Sequence, residues 1–452
     1  MFEISPISRS TGDSHKVKPT VLIAATSHWL PAARLAGALA DAGFSVQAVC
    51  SSRHPLQRTT AVYRTYKYRA LAPLTSFSRA ILSAKPDLIV PGDDLAVQHL
   101  FHLYRTMQHS ERKAVTIRAA IEHSFGPPES FPIVQARAQF INMAREEGVR
   151  VPRTQAISNV ADLRKWTSEV GFPCVLKADG TSGGEGVVKV RSLGEAESAF
   201  LRLQAPPLLA RAAKRAIWDS DKTLLCPSLL RRRSVVNVQT FIEGQEATSL
   251  VACWKGRVLA SLHFVVIQKT SDAGPATVLR LIDNTDMSVA AEKTARRLNL
   301  SGLHGLDYML EPETGHAYLI EINPRATQVG HLTLGAGRDL PAALYAAVTG
   351  RSISPQRKVT ENSIFALFPN EWLRDRQSPY LRSAYHDVPW QEPELMKRWV
   401  HKAIENNISG SRPAWRRFVK GMAQPIDVPH RNSGRDLAGS VLRCASAEDD
   451  GF

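Results

Sequence analysis

Short apolar runs alternate with longer amphipathic stretches over the first quarter of the chain. The runs are Val21–Ala25, Phe44–Val49 and Asp87–Val90. Between the first two, Pro31 and Gly43 stand where proline opens a helix and glycine closes one. Strands that alternate with helices predict a parallel sheet, and its strand C-termini usually line a ligand cleft. We therefore predict an open α/β domain over residues 20–125.

The pattern changes after a Gly- and Pro-containing linker at residues 126–132. One helix is predicted over Val134–Glu147, and it is followed by a series of β-strands. These strands are Phe172–Lys177, Gly186–Arg191, Val235–Ile242, Glu246–Trp254 and Val258–Ile267. Lys255-Gly256 joins the last two strands, and a two-residue turn with glycine is typical of a tight antiparallel hairpin. The middle of the chain therefore switches from parallel to antiparallel sheet.

The complete prediction is an α/β and α+β chain of several parts. The polar residues 1–19 are expected to be disordered, and residues 126–354 form the domain that follows the open sheet. Residues 355–408 contain Trp372, Tyr380, Tyr385 and Trp390 among charges and are predicted to be an appended C-terminal region. Residues 409–452 are expected to be a loosely ordered tail.

The formal charge of +15 is concentrated in two segments. Residues 51–80 carry six basic side chains and no acid, and residues 201–240 carry eight bases against Asp219 and Asp221. Such a charge suits a polyanionic partner, either nucleic acid or a nucleotide such as ATP, although a solvated basic surface explains it equally well. Nucleic acid is not the expected partner.

The five cysteines are widely spaced and form no C-x-x-C pair. This spacing argues against a disulfide framework and against a zinc site. The N-terminus lacks the pattern of a signal peptide, and no apolar run approaches the roughly 20 residues of a membrane span. We expect a cytoplasmic protein without a membrane partner.

The most informative stretch is Gly302–Arg325, in which two apolar strands flank a turn. If the turn is centred on Thr314, Asp307 and Glu321 lie opposite each other, and Asn323 lies on the same face. Opposed carboxylates repel each other, and two carboxylates with an amide are the hard oxygen ligands that Mg²⁺ prefers. A one-residue slip would move Glu321 to the other face, and two solvent-facing acids are the alternative explanation.

A second candidate site follows the strand that ends in Lys177. The segment 178–186 contains four glycines within seven residues, so its backbone N–H groups are able to point at an anion. Lys177 adds a point charge for phosphate. The chain has no G-x-x-x-x-G-K-[ST] match, which argues against a P-loop.

Together these motifs resemble the ATP-grasp superfamily over roughly Val134–Gly350, with the open α/β domain in the place of the usual preceding domain. The resemblance implies two antiparallel subdomains with ATP between them. It implies Mg²⁺, or Mn²⁺ in its place, bound by Asp307, Glu321 and Asn323, and it makes Arg325 the catalytic residue that stabilises the acyl phosphate or the tetrahedral intermediate.

The resemblance also implies a set of nucleotide contacts. These are Lys177 on the phosphates, a covering loop with Thr181, Ser182, Gly183, Gly184 and Gly186, a hinge strand with Gln239, Phe241 and Ile242, Glu246 on the ribose, Lys269 as a second phosphate cation, and Met309 as a wall of the adenine pocket. Ordinary core packing is the alternative for Met309. The chain departs from the family at Arg137, where a lysine is usual, and in the basic insert 210–233.

The implied reaction is an ATP-dependent ligation of a small-molecule carboxylate to an amine. The segment Gly274–Thr277 with Arg280 resembles the acceptor side of amino-acid ligases. Other candidates for binding the substrate are His28, His331, Asp93 and Asp94, although helix capping is the favoured explanation for the two aspartates. A carboxylase that uses bicarbonate and a non-catalytic ATP-binding regulator stay open, as does a homodimer.

Overall fold

The computed structural model describes residues 18–107, 112–180, 186–205, 234–272, 274–351 and 357–396. The strands are β1 (Thr20–Ala24), β2 (Ser45–Cys50), β3 (Val62–Lys67), β4 (Leu88–Pro91), β5 (Thr154–Ile157), β6 (Cys174–Ala178), β7 (Val187–Val190), β8 (Val236–Thr240), β9 (Gln245–Trp254), β10 (Arg257–Lys269), β11 (Ala276–Leu281), β12 (Gly302–Leu310), β13 (Ala317–Asn323), β14 (Ile364–Ala366) and β15 (Tyr385–His386). The α-helices are α1 (Leu30–Asp41), α2 (Pro73–Ala84), α3 (Asp94–Thr106), α4 (Arg112–Phe125), α5 (Ser130–Gln135), α6 (Arg137–Glu146), α7 (Val160–Val170), α8 (Leu193–Gln204), α9 (Thr285–Leu298), α10 (Leu340–Thr349), α11 (Asn370–Arg374) and α12 (Tyr380–Ser383).

The first sheet is parallel and has the order β3-β2-β1-β4. Its central strands are continuous apolar runs because helices cover both faces of a parallel sheet. The three predicted strands are confirmed within one or two residues. The edge strand β3 was not predicted, since its sequence Val-Tyr-Arg-Thr-Tyr-Lys is polar and mostly exposed.

The prediction of a single helix over Val134–Glu147 is wrong, because the segment is not one continuous helix. Two helices, α5 and α6, meet at Ala136, whose φ of −110° and ψ of 104° are extended rather than helical. Consequently Arg137 is the first residue of α6 instead of a residue on the face of a longer helix. The apolar periodicity runs through both helices, and it therefore conceals the break.

The remaining strands form two sheets. The smaller has the order β5-β8-β6-β7 and is antiparallel. The larger has the order β13-β12-β9-β10-β11-β14-β15 and is antiparallel except for its last pair, β14–β15. The predicted tight hairpin is confirmed: Lys255 and Gly256 have φ of 48° and 77°, and Trp254 pairs with Arg257. Positive φ at both turn residues matches the right-handed twist of the flanking strands.

The hydrophobic core shows which parts are built together. Two large clusters each combine apolar residues of the parallel sheet with residues of the larger sheet, for example Ile23 with Phe264 and Ile89 with Leu319. A third cluster, around Trp166, contains only the smaller sheet with α7 and α8. The smaller sheet therefore buries a core of its own.

Part of the segment predicted as an appended C-terminal region extends the larger sheet through β14 and β15. A buried ion-pair network fastens it there. Asp387, just after β15, is only 2% exposed; it pairs with Arg34 of α1 at 3.3 Å and with His331 Nε2 at 3.0 Å. His331 is thus engaged in this network rather than presented to a substrate.

We expect Asp387→Ala to destabilise the fold by roughly 3–5 kcal/mol, because removing one partner of a buried pair leaves an uncompensated buried charge on Arg34. Urea unfolding followed by circular dichroism measures the change. Asp283→Ala is the matched control, since Asp283 pairs with Arg338 while its side chain is 86% exposed, and it should cost less than about 1 kcal/mol. Equal losses in the two variants would contradict the prediction.

Candidate nucleotide and metal site

The two carboxylates of the β12–β13 hairpin lie opposite each other as predicted. Asp307 pairs with Glu321 in the ladder, and Gly305 pairs with Asn323. The symmetrical turn assumed for this pairing is wrong, since Tyr308 pairs with Leu319 and the register shifts by one residue next to Asp307. This β-bulge, an extra residue on β13, sets the opposed carboxylates.

Asp307 is the carboxylate with the most perturbed environment. Burial, and after it the neighbouring Glu321 carboxylate, raises the pKa of Asp307 to about 6. Two hydrogen bonds oppose this shift: Thr248 Oγ1 donates to Asp307 Oδ1 at 2.8 Å, and Asn323 Nδ2 donates to Oδ2 at 2.9 Å. A carboxylate held here next to a like charge is stabilised by any cation placed between the two.

Two basic side chains approach the carboxylates from the side of the smaller sheet. Arg137 bridges both sheets, with Nη2 at 3.1 Å from Glu321 and Nη1 at 3.2 Å from Asp179, which follows β6. Lys177 of β6 is 6% exposed. Burial lowers the pKa of Lys177 to about 8, although the carboxylate of Glu321 acts in the opposite direction.

A third basic side chain, Arg325, approaches from the side of the parallel sheet. Its Nε lies 2.7 Å from Asp94 Oδ1, and its Nη2 donates to Asn323 Oδ1 at 3.3 Å. The guanidinium also lies 5.9 Å from the centre of the Trp29 ring. Arg325 therefore connects the candidate metal ligands to the strand-end loops of the first sheet.

The strand-end residues proposed to bind a substrate have structural partners. Asp93 caps α3 by accepting from Ala96 N at 2.9 Å, and it also accepts from the backbone N–H groups of Thr26 and Ser27. The capping explanation is therefore confirmed for Asp93. His28 Nε2 lies 3.1 Å from Ser51 Oγ at the same edge of the sheet.

The acceptor-side segment has other contacts than those its resemblance implies. Thr277 is fully buried in β11, and its Oγ1 donates to Glu371 at 2.6 Å. Arg280 is exposed and lies opposite Val265 and Ile364 in the ladder. The resemblance of this segment to amino-acid ligases therefore has no counterpart in the side-chain contacts of Thr277.

The predicted ribose and phosphate residues of the larger sheet lie together. Lys269 Nζ is 2.6 Å from Glu246 Oε1, and Glu246 stands opposite Met309 in the β9–β12 ladder. Met309 shares a strand face with Asp307, which is two residues away. One face of the larger sheet, across β9 and β12, thus carries the candidate ribose acid, the candidate metal ligand and the candidate adenine wall.

The predicted hinge residues differ in their accessibility. Lys189 Nζ lies 3.4 Å from the centre of the Phe241 ring, and Phe241 and Ile242 follow β8 directly. Gln239 is 2% exposed, and its Nε2 donates to Thr154 Oγ1 at 2.9 Å inside the smaller sheet. The Gln239 side chain therefore belongs to the interior of the smaller sheet, whereas Phe241 and Ile242 are partly exposed.

Four residues of the predicted covering loop, Thr181, Ser182, Gly183 and Gly184, lie outside the described residues, as does the basic insert 210–233. The loop begins after Gly180 and ends before Gly186, with φ of 76° and 80°. Ala178 N donates to Gly186 O at 2.9 Å and closes the base of the loop. Its two ends are therefore fixed next to Lys177.

The side chains at the site fit a divalent cation held partly by a phosphate ligand. In the part of the chain that the structure describes, no group of three or more His, Cys, Asp and Glu side chains is placed to bind a metal. Asp307, Glu321 and Asn323 supply fewer oxygen ligands than the six that Mg²⁺ requires, and Mg²⁺ commonly completes its shell with water and phosphate oxygens.

Two unpaired polar atoms are a further observation at the site. Arg137 Nε and Asn237 Oδ1 are buried without a hydrogen-bond partner among the described residues. Buried polar atoms normally have partners, so the unsatisfied pair is consistent with a polar ligand.

Sequence reasoning missed four residues around the site: Trp29, Asp179, Asn237 and Thr248. Asp179 stands two residues after Lys177, directly past the end of a strand, and that position is a usable signal. Thr248 carries no such signal, because only the pairing of β9 with β12 brings it opposite Asp307. The same is true of Asn237, which donates to Asp179 Oδ1 at 2.9 Å.

Known proteins share this architecture. A family model described as "Carbamoyl-phosphate synthase L chain, ATP binding domain" matches residues 136–335, which include the smaller sheet and strands β9–β13 of the larger sheet. This match indicates an ATP-grasp domain within residues 136–335. The formate-dependent phosphoribosylglycinamide formyltransferase of Bacteroides fragilis is 26% identical over 202 residues, which are 44% of this chain and 46% of that protein.

Two solved structures agree with this ATP-grasp assignment. The biotin carboxylase domain of the Hydrogenobacter thermophilus 2-oxoglutarate carboxylase, solved with MgADP, ADP and bicarbonate, has a TM-score of 0.52 at 16% identity and covers 75% of this chain and 71% of its own. The L-amino acid ligase of Bacillus licheniformis has a TM-score of 0.50 at 14% identity and covers 74% and 75%. At such identities these likenesses establish the ATP-grasp fold.

The chain spans less than half the length of the curated relatives it matches, 19% of the first and 46% of the second. Among its described residues, no helix combines the length and the apolar character that crossing a membrane requires.

Proposed function

We propose that the chain is an ATP- and magnesium-dependent ligase that joins a small carboxylate to an amine through an acyl phosphate and releases ADP and phosphate. The proposal rests on one arrangement: two opposed carboxylates, Asp307 and Glu321, with three basic side chains around them. A site that combines carboxylates with basic side chains suits the binding of a triphosphate together with its divalent cation.

Each basic side chain comes from a different part of the fold and has its own place in the proposal. Lys177 lies in β6 and Arg137 is the first residue of α6, and both would contact the phosphates in the nucleotide complex. Arg325 approaches from the side of the parallel sheet and would stabilise the negative charge that develops on the acyl group. Positioning and charge stabilisation supply most of the catalysis in phosphoryl transfer.

Asp307, Glu321 and Asn323 would hold Mg²⁺, with Mn²⁺ as the alternative ion. The ion supplies charge neutralisation at the phosphate oxygens when it is bound. Asn323 now donates its amide N–H to Asp307. Its Oδ1 accepts from Arg325, so the amide orients both groups from one position.

We place this activity in the cytosol. Cys50, Cys174 and Cys253 are free and buried, and burial raises the pKa of the Cys174 thiol to about 11. Unpaired, protonated thiols are what a reducing compartment maintains.

The test is ADP release by the full chain with Mg·ATP over a panel of amino acids, singly and in pairs, with and without bicarbonate. We expect ADP only when a carboxylate and an amine are both present, together with a condensed product detected by mass spectrometry. A substrate labelled with ¹⁸O in its carboxylate should transfer one label to the released phosphate, because the acyl phosphate forms through that oxygen.

Three outcomes would contradict the ligase proposal. AMP as the product would exclude the acyl phosphate. ADP release triggered by bicarbonate alone would favour a carboxylase. ATP binding without turnover across the whole panel would favour a nucleotide-binding regulator.

A further inference from the structure

The outer edge of the parallel sheet is an unusual surface. β3 pairs only with β2 among the described strands, so its other side presents unpaired backbone N–H and C=O groups. Proteins normally protect such an edge, because an exposed edge strand is a template for another strand. None of the described strands takes that place along β3.

Apolar side chains beside this edge are exposed to an exceptional degree. Leu71 is 85% exposed and Tyr63 is 81% exposed, and these are the two highest values for large apolar side chains among the described residues. Tyr63 lies on β3 itself, and Leu71 follows the strand by four residues. Scattered single apolar residues need no explanation, but two next to an open edge form a candidate contact surface.

The chain segment that contains this edge is basic and has no acidic residue. The six basic residues of the segment 51–80 are all exposed, and none forms an ion pair with another described residue. They are Arg53, Arg58, Arg64, Lys67, Arg69 and Arg79. Arg64 lies over the Tyr66 ring at 5.1 Å, which holds its charge against the strand. We call the exposed side chains of Tyr63, Arg64, Lys67, Arg69 and Leu71 the β3 edge patch.

We propose that the β3 edge patch docks an extended acidic segment of a partner protein, which adds to the sheet as a further strand. The unpaired backbone groups favour a peptide as the ligand, since only another strand forms hydrogen bonds with a whole row of N–H and C=O groups. The uncompensated positive charge calls for acidic side chains on that peptide. Tyr63 and Leu71 supply the apolar contact.

Self-association through this edge is disfavoured by the same charges. Two copies paired at β3 would bring two sets of basic side chains together, and directly opposed like charges destabilise strand pairs. Nucleic acid satisfies the charge but leaves the backbone groups of β3 without partners. The combination of an open edge and a basic face therefore selects an acidic polypeptide.

The experiment is fluorescence polarisation at low salt with the full chain and a labelled twelve-residue peptide of alternating Glu and Val. We expect saturable binding of this peptide and none of a Lys and Val peptide of the same length. A Glu and Val peptide that is N-methylated at alternate residues should lose binding, because it keeps the charge but cannot pair along the backbone.

Arg64→Glu combined with Lys67→Glu should weaken the binding by about tenfold, because two exposed attractions become repulsions. Lys165→Glu combined with Arg202→Glu is the matched control on the exposed faces of α7 and α8, and we expect a change of less than about twofold. Neither pair belongs to the candidate nucleotide site, so ADP release should be equal in both and also reports correct folding.

Several results would overturn the docking proposal. They are failure of the Glu and Val peptide to bind, equal binding of its N-methylated form, equal weakening in both double variants, and tighter binding of a dodecamer of thymidylate than of the peptide. The last would assign the patch to nucleic acid. These outcomes are independent of the ligase activity, because none of them requires turnover.

Discussion

Replacing Glu321 with glutamine is expected to lower the rate of ATP turnover by at least about a hundredfold, since the charge that neutralises a metal–phosphate complex is removed at one of two carboxylates. The fold should survive the change. Glu321→Gln removes the like charge that raises the pKa of Asp307, and this relief offsets the loss of the contact with Arg137 at 3.1 Å. We expect the free energy of unfolding to change by less than about 1 kcal/mol.

Steady-state ADP release measures the rate of ATP turnover, and urea unfolding of the same preparation measures the free energy of unfolding. Glu313→Gln is the control, because Glu313 is an exposed acid in the turn of the same hairpin. The control should keep its activity and its stability. If Glu321→Gln retains near-normal turnover, Asp307 and Glu321 are not metal ligands, and the proposed function loses the arrangement that supports it.

The second large effect is expected at Lys177, where activity and stability should move in opposite directions. Lys177→Met replaces a buried ammonium by an apolar chain of similar length. The desolvation cost that lowers the pKa of Lys177 to about 8 disappears, so the melting temperature should stay the same or rise. The affinity for Mg·ATP should fall roughly tenfold to a hundredfold, because a charge-assisted contact with phosphate is lost.

Thermal unfolding without Mg·ATP measures the stability of each variant. The rise in melting temperature when Mg·ATP is added measures the affinity, because a ligand that binds only the folded state raises the melting temperature with its affinity. Lys165→Met is the control, since Lys165 is exposed on α7 and is not a residue of the candidate site. The control should keep the full nucleotide-induced shift. A Lys177→Met variant that is less stable and still shows the full shift would make Lys177 a structural residue.

The site shows how a correct prediction can rest on an incomplete reason. Counting outward from Thr314 placed Asp307 opposite Glu321, and the ladder has this pair. The centre of the turn lies half a residue before Thr314. The extra residue of β13 next to Asp307 restores the pairing of Asp307 with Glu321. A bulge leaves the apolar alternation of β13 ambiguous, because Leu319, Ile320 and Ile322 fit either phase.

The errors at α5, α6 and β3 have a common cause. Periodicity reports which residues face the core, and it is silent about a local change of φ and ψ such as that at Ala136. An edge strand with one neighbour keeps most of its side chains in solvent, so β3 lacks the apolar signal that identified β1, β2 and β4. Such elements are defined by their neighbours in space.

The sequence by itself determined the strands with strong apolar character, the tight turn at Lys255-Gly256, the switch from parallel to antiparallel sheet and the carboxylate pair, because each depends on neighbours within one strand or one hairpin. Only the tertiary structure decided that Arg137 bridges Asp179 and Glu321, that Arg325 reaches Asp94, and that Asp387 fastens Arg34 and His331. These contacts join residues far apart in the chain. Their geometry depends on the order of strands and on the packing of whole sheets, which no local pattern encodes.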